Sequence, residues 1–190
     1  MKRILFTLLI ACCSLMSWAQ SEHMTFKGVP IDGTLTEFVT KMKTAGFTHL
    51  GTQDGVAVLQ GDFAGYKNCM VGVYTLKPLN VVSMIGVMFN VRETWSDLEG
   101  DYDFFKTMLS EKYGEPAVVV EEFSGSQPRD ANGKMHELRM DRCTWASAFQ
   151  TDKGDIELSM EYNNYECRVI LRYRDKINTE RVKKQAMEDL

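Results

Sequence analysis

Asp155-Ile156-Glu157-Leu158-Ser159-Met160-Glu161-Tyr162-Asn163-Asn164-Tyr165-Glu166-Cys167-Arg168-Val169-Ile170-Leu171-Arg172-Tyr173 alternates apolar and polar residues on both sides of an Asn-Asn turn signal. A two-residue turn at Asn163-Asn164 sets Met160 opposite Cys167, Leu158 opposite Val169 and Ile156 opposite Leu171. The other face then carries Glu157, Ser159, Glu161, Glu166, Arg168 and Arg172, with Ile170 as its apolar member. One buried and one solvated face is the pattern of an antiparallel sheet covered on one side by helices.

Working outward, further turn signals delimit further strands. Asp54-Gly55 separates Phe47–Thr52 from Val56–Phe63, and Ala64-Gly65 leads into Tyr66–Leu76. Lys77-Pro78-Leu79-Asn80 leads into Val81–Asn90. Later come Ala117–Phe123, an aperiodic polar loop Ser124–Lys134, a strand Met135–Asp141 and a strand Cys143–Gln150. Three segments have helical periodicity. Thr34 and Glu37 have capping-box spacing before the stripe Leu35, Phe38, Val39, Met42, and Gly46 supplies a stop. Trp95, Leu98, Tyr102, Phe105 and Leu109 form a second stripe, with Ser96 and Glu99 as a cap pair and Gly114-Glu115-Pro116 as terminator. A third runs from about Asn178 through Val182 and Ala186 to Leu190.

Helix, four strands, helix, about four strands, helix: this order predicts an α+β fold. The expectation is an antiparallel sheet of about eight strands, built from two helix-plus-four-strand halves, with helices on one face. Residues 20–190 make one domain, with the halves at 30–115 and 116–190 and an internal likeness between the strands that begin at Cys69 and Cys143.

The Tyr66–Asn90 hairpin has no polar face. With a four-residue turn at Lys77–Asn80, Met70, Tyr74, Leu76, Val81, Ile85 and Val87 share one face. Cys69, Val71, Val73, Val82, Met84 and Met88 occupy the other. Such a hairpin is either sandwiched inside the fold or carries an exposed patch. On the second reading Met70, Tyr74 and Ile85 are the candidate partner-binding anchors, since Met and aromatic side chains suit such surfaces.

The chain begins as an export signal. Lys2-Arg3, the apolar run Ile4–Ala11 and the small-x-small ending Ser17-Trp18-Ala19 fit a secretory signal peptide over 1–19. The run is too short to span a membrane, and no later run approaches that length. Leu9-Ile10-Ala11-Cys12 also fits a lipobox, which would anchor the mature chain through Cys12. Cleavage after Ala19 removes Lys2 and Arg3 and takes the formal charge from −4 to −6. An acidic chain without a basic cluster argues against nucleic-acid binding. Cys69, Cys143 and Cys167 remain. An oxidising compartment permits a disulfide, with Cys69 and Cys143 as the candidate pair, and buried free thiols are the competing reading.

Motifs of established chemistry are missing. No GxSxG, HExxH, SxxK or CxxC occurs. His23 falls in a segment expected to be flexible, and His49 and His136 fall on expected strands. Asp97, Glu99, Asp101 and Asp103 lack the spacing of a calcium loop and suit the first turns of a helix. Glu157, Glu161, Arg168 and Arg172 read as cross-strand ion pairs. No cofactor or metal site is expected.

Phe26-Lys27-Gly28-Val29-Pro30-Ile31-Asp32-Gly33, Gly61-Asp62-Phe63-Ala64-Gly65-Tyr66 and the elements Tyr102-x-x-Phe105-Lys106 and Lys112-Tyr113-Gly114-x-Pro116 resemble a group of uncharacterised small secreted or periplasmic proteins of Bacteroidota type. The resemblance implies export and a bacterial envelope, and brings no catalytic or binding residue. The repeated element order is similar in topology to tandem β-lactamase-inhibitor-like proteins. The expectation is therefore an exported, non-catalytic binding module with a protein or envelope-polymer partner. An envelope hydrolase using His49, His136 and nearby acids, or a structural assembly subunit, are the alternatives.

Overall fold

Left-handed two-residue turns generate the sheet. Asp54-Gly55 (φ 51° and 79°) and Ala64-Gly65 (49° and 86°) turn the chain back on itself with the twist that antiparallel strands need. The computed structural model describes residues 21–188, so the signal 1–19, Cys12 and Leu190 lie outside it. In chain order the elements are β1 (Thr25–Phe26), β2 (Val29–Pro30), α1 (Leu35–Thr44), β3 (Thr48–Gln53), β4 (Val56–Phe63), β5 (Tyr66–Leu76) and β6 (Val81–Met88). There follow α2 (Trp95–Tyr113), β7 (Val118–Phe123), α3 (Ala131–Arg139), β8 (Cys143–Thr151), β9 (Gly154–Asn163), β10 (Glu166–Asp175) and α4 (Lys176–Glu188). Eight strands form one antiparallel sheet in the order β3-β4-β5-β6-β10-β9-β8-β7, and β1 pairs only with β2. The α+β fold is the expected one.

The two halves meet where β6 pairs with β10, from Met84–Arg174 to Met88–Ile170. Last strand meets last strand, so the halves are related by an approximate two-fold axis. This equates β6 with β10. The sequence likeness between the Cys69 and Cys143 strands equates β5 with β8 instead, and does not follow the structural symmetry.

Rows of paired residues show how the faces are divided. Leu59, Val71, Val87, Leu171, Leu158 and Ser147 lie in one row, and Ala57, Val73, Ile85, Tyr173, Ile156 and Phe149 in the next. All are buried, and α1, α2 and α3 pack over them. Thr34 caps α1 with the expected reciprocal bonds to Glu37. In α2 the cap is Thr94 rather than Ser96. Its hydroxyl accepts from the Asp97 N–H and donates to the Asp97 carboxylate. Starting there puts Trp95, Leu98, Tyr102, Phe105 and Leu109 on the core.

Four expectations change. The final hairpin turns at Asn164-Tyr165 (φ 49° and 66°), so Met160 pairs with Val169, Leu158 with Leu171 and Ile156 with Tyr173. The faces are unchanged, but the shift buries Tyr173 in the core and sets Arg172 beside Glu157. Second, Met135–Asp141 is not a strand. Asp130 accepts from the Gly133 N–H and caps α3, which buries Met135 and Leu138 at three-residue spacing. Asn132 and Gly133, poor helix formers, hide that start.

Third, the segment holding His23 is built into the fold. Phe26 packs against Phe47, Phe63 and Tyr173 with ring centroids 5.0–5.9 Å apart. The buried Asp175 carboxylate accepts from the Met24 and Asn178 N–H groups, each at 2.8 Å, and meets His23 Nδ1 at 3.0 Å. Asn178 Nδ2 donates to Ile31 O, Asp32 Oδ1 and Val82 O. Fourth, a bulge between Tyr74/Thr75 and Val82/Met84 moves Ile85. One extra residue on β6 inverts every side chain beyond it. Ile85 thus pairs with Val73 in the core, on the opposite face from Met70 and Tyr74.

Candidate functional site

The sheet face that carries no core row is the candidate site. One row runs across the whole sheet: Gly51, Val58, Gly72, Gly86, Arg172, Glu157, Ala148, Val118. On one side lie Val56, Tyr74, Met84, Arg174 and Asp155, and on the other Met70, Met88, Ile170 and Ser159. The face is therefore divided. Over β4, β5 and β6 it is apolar, with Val56, Val58, Met70, Tyr74, Met84 and Met88 half-buried. Over β10 and β9 it is charged.

Tyr74 is central to the apolar part. A Cβ built on Gly72 would come within 2.8 Å of its Cε2 and Oη, and one on Gly86 within 3.4 Å of Cε2. The ring thus lies flat across two side-chain-free positions and shields backbone that would otherwise face water. Of the three expected anchors, Met70 and Tyr74 share this face and Ile85 does not. Met84 and Met88 belong here instead. The pattern Gly72-x-Tyr74 was the available sequence signal, since residues two apart in a strand share a face.

Arg172 organises the charged part. Its guanidinium donates to both Glu161 oxygens, at 2.5 and 2.9 Å, to Ser159 Oγ at 3.1 Å and to Glu157 at 3.2 Å. Burial alone would raise the Glu161 carboxyl. Hydrogen bonds from Arg172 and Ser159 outweigh it and hold Glu161 below its ordinary range. The same bond to Glu161 raises Arg172. Beside them a depression of about 170 Å³ is lined by Ala148, Gln150, Asp155, Glu157, Arg172 and Arg174. A carboxylate locked to a guanidinium is a poor proton donor, so the cluster suits polar recognition better than acid–base chemistry.

The remaining candidates are dispersed. His49 lies on β3 and bonds Thr52 Oγ1, whereas His136 lies exposed on α3, over β8 and β9 at the far end of the sheet. His23 contacts Asp175 and, at 3.5 Å, Asp32, in the network that fixes the N-terminal segment. Burial alone would raise Asp32. Bonds from Asn178 and Gly33 and the charges of His23 and Arg181 hold it below its usual value. Asp101 bonds Arg92 and the Tyr66 hydroxyl, tying α2 to β5.

The cysteine pairing is corrected. Cys69, Cys143 and Cys167 are free and buried. Cys69 on β5 and Cys143 on β8 have β6, β10 and β9 between them, so roughly 19 Å of sheet separates strands that a disulfide needs within about 7 Å. Burial raises the Cys143 thiol to about 11 and raises Cys69 as well. Among the described residues no group of three or more His, Cys, Asp or Glu is placed to hold a metal ion, and no helix is long and apolar enough to cross a membrane. In comparisons with protein-family models, curated proteins and solved structures, the chain matches none.

Proposed function

We propose that this chain is an exported, non-catalytic binding module of a bacterial envelope, which holds a protein or envelope-polymer partner on the open face of its sheet. The observation that carries the reading is the division of that face. Methionines and Tyr74 lie over β5 and β6, continuous with the Arg172 cluster. Helix α4, which packs on β6, β10 and β9, borders this face where Thr179, Glu180 and Lys183 meet Asp155 and Arg174. Flexible Met side chains adapt to a partner's shape, and adjacent fixed charges give orientation. The signal-like residues 1–19 and the resemblance to secreted proteins support export.

Hydrogen exchange and affinity capture with an envelope fraction test the reading together. The wild-type chain is expected to retain a partner and to gain protection on β5, β6 and β10. A folded Met84→Asp/Met88→Asp variant should lose both. Equal capture by the variant, or no protection on this face, would overturn the assignment. Export is tested separately: the mature N-terminus is expected at Gln20, and a diacylated Cys12 would replace a soluble module with a tethered one.

A further inference from the structure

Among the described residues the sheet has two free edges, β3 and β7, and they are built differently. On β3 the register breaks between His49 and Gly51, a bulge of the kind that discourages further pairing. On β7 the register with β8 is unbroken from Val118 to Phe123. Val118 is 54% exposed and Val119 43%. The Ser124 N–H donates to Arg142 O at 2.9 Å, in line with that register, and this sets the phase of the ladder. Bonded pairs alternate in an antiparallel ladder, so Val118, Val120 and Glu122 face β8. Val119 and Glu121 turn their backbone N–H and C=O groups toward the free edge.

A charged groove accompanies this edge. Lys106 on α2 bonds Glu121 at 2.6 Å, which brings that helix flank over the helix-side row of β7. A shallow groove of about 550 Å³ runs along the flank, lined by Asp103, Lys106, Thr107, Ser110, Glu111 and Glu115. With Glu121 this makes four carboxylates to one ammonium. On the open-face side of the strand the neighbours are instead Val118 and Val120, followed by Glu122.

We infer that β7 accepts an extended peptide strand from a partner protein, pairing through Val119 and Glu121. The strand alternates basic residues toward α2 with apolar residues toward Val118 and Val120. Main-chain bonds supply affinity in such strand addition, and alternate side chains supply selectivity. Charge decides the occupant: a second copy of β7 would bring Glu121 and Glu122 to an already acidic rim, whereas a basic strand neutralises it. This site lies at the sheet edge, apart from the Tyr74 patch and the Arg172 cluster, and stands or falls independently of them.

The test uses an alternating lysine–valine heptapeptide, with a lysine-only peptide and a glutamate–valine peptide as controls. The alternating peptide is expected to bind with salt-dependent affinity, at least tenfold tighter than either control, and to slow amide exchange at Val119 and Glu121. Val119→Pro removes an outward-facing N–H, a position where an edge strand tolerates proline, and should weaken binding at least tenfold. N-methylation of alternate peptide amides should do the same without altering the protein. Equal binding by the lysine-only peptide, indifference to N-methylation, or no binding would overturn the proposal. So would a dimer of the chain that protects Val119 and Glu121 without peptide.

Discussion

Tyr74 and Gly72 form a pair whose energies are coupled, because the ring occupies the space that a side chain at Gly72 would need. Gly72→Ala is expected to lower stability by about 1 kcal/mol, since the new methyl lifts the ring and outweighs the usual gain from replacing a strand glycine. In a Tyr74→Ala background the same substitution should become neutral or stabilising. A double-mutant cycle from denaturant midpoints measures the coupling, and additive effects would show that the ring does not lie across Gly72. Asp175 is a second residue whose environment fixes a prediction. It is fully buried and accepts from two backbone N–H groups as well as contacting His23. Asp175→Ala strands those donors and should cost about 3 kcal/mol, read from the same midpoints.

Among elements, the β5–β6 hairpin shows most directly where sequence reasoning stops. Its strands, its turn and its lack of a polar face are legible in Tyr66–Asn90, but whether it is sandwiched inside the fold or carries an exposed patch is not. Nor is the bulge, because a turn signal sets only the register beside the turn, and the shift comes at Tyr74/Thr75, several residues into the ladder. Hence Met70 and Tyr74 were placed correctly together and Ile85 was not. Cys69 and Cys143 mislead for a similar reason: strand order is a long-range property, and three strands intervene. By contrast the α1 cap was fully legible, since Thr34 and Glu37 are three residues apart. The bulge makes its own prediction. Ile85→Asp should prevent folding, whereas Met84→Asp should leave a native far-ultraviolet spectrum and a near-native midpoint. The flank between α2 and β7 makes another. Burial, with the charges of Glu99 and Glu121, raises the Asp103 carboxyl. The folded state then binds the proton more tightly than the unfolded chain, so the charged form destabilises above the folded-state pKa and the penalty fades as pH falls toward about 4. Asp103→Asn is expected to raise the melting temperature at pH 7 and to lose that advantage in acid.

For the whole molecule, the question is whether two similar halves are two folding units. The β6–β10 pairing alone would allow it, because five residue pairs join otherwise separate four-stranded sheets. Packing argues the other way. Phe26, from the first half, lies against Tyr173 on the last strand. Asp101 binds Tyr66 at the start of β5 from α2, a helix that packs on β8, β9 and β10 and so belongs structurally with the second half. Asn178, at the start of α4, donates to Ile31 O and Val82 O, so the C-terminal helix is anchored partly to the N-terminal half. One contiguous cluster of buried side chains extends from Met24 to Tyr173. Dividing the chain after Val91 would expose that cluster on both pieces and separate Asp175 from His23 and Met24, and the Asn178 side chain from Ile31, Asp32 and Val82. Residues 21–91 and 92–188, made separately, should each lack cooperative unfolding and near-ultraviolet signal, and should recover both on mixing. The intact chain should unfold in one transition with coincident near- and far-ultraviolet curves. Two resolved transitions, or a folded isolated half, would mean that the central strand pair joins independent units and that the cross-half contacts are incidental to stability.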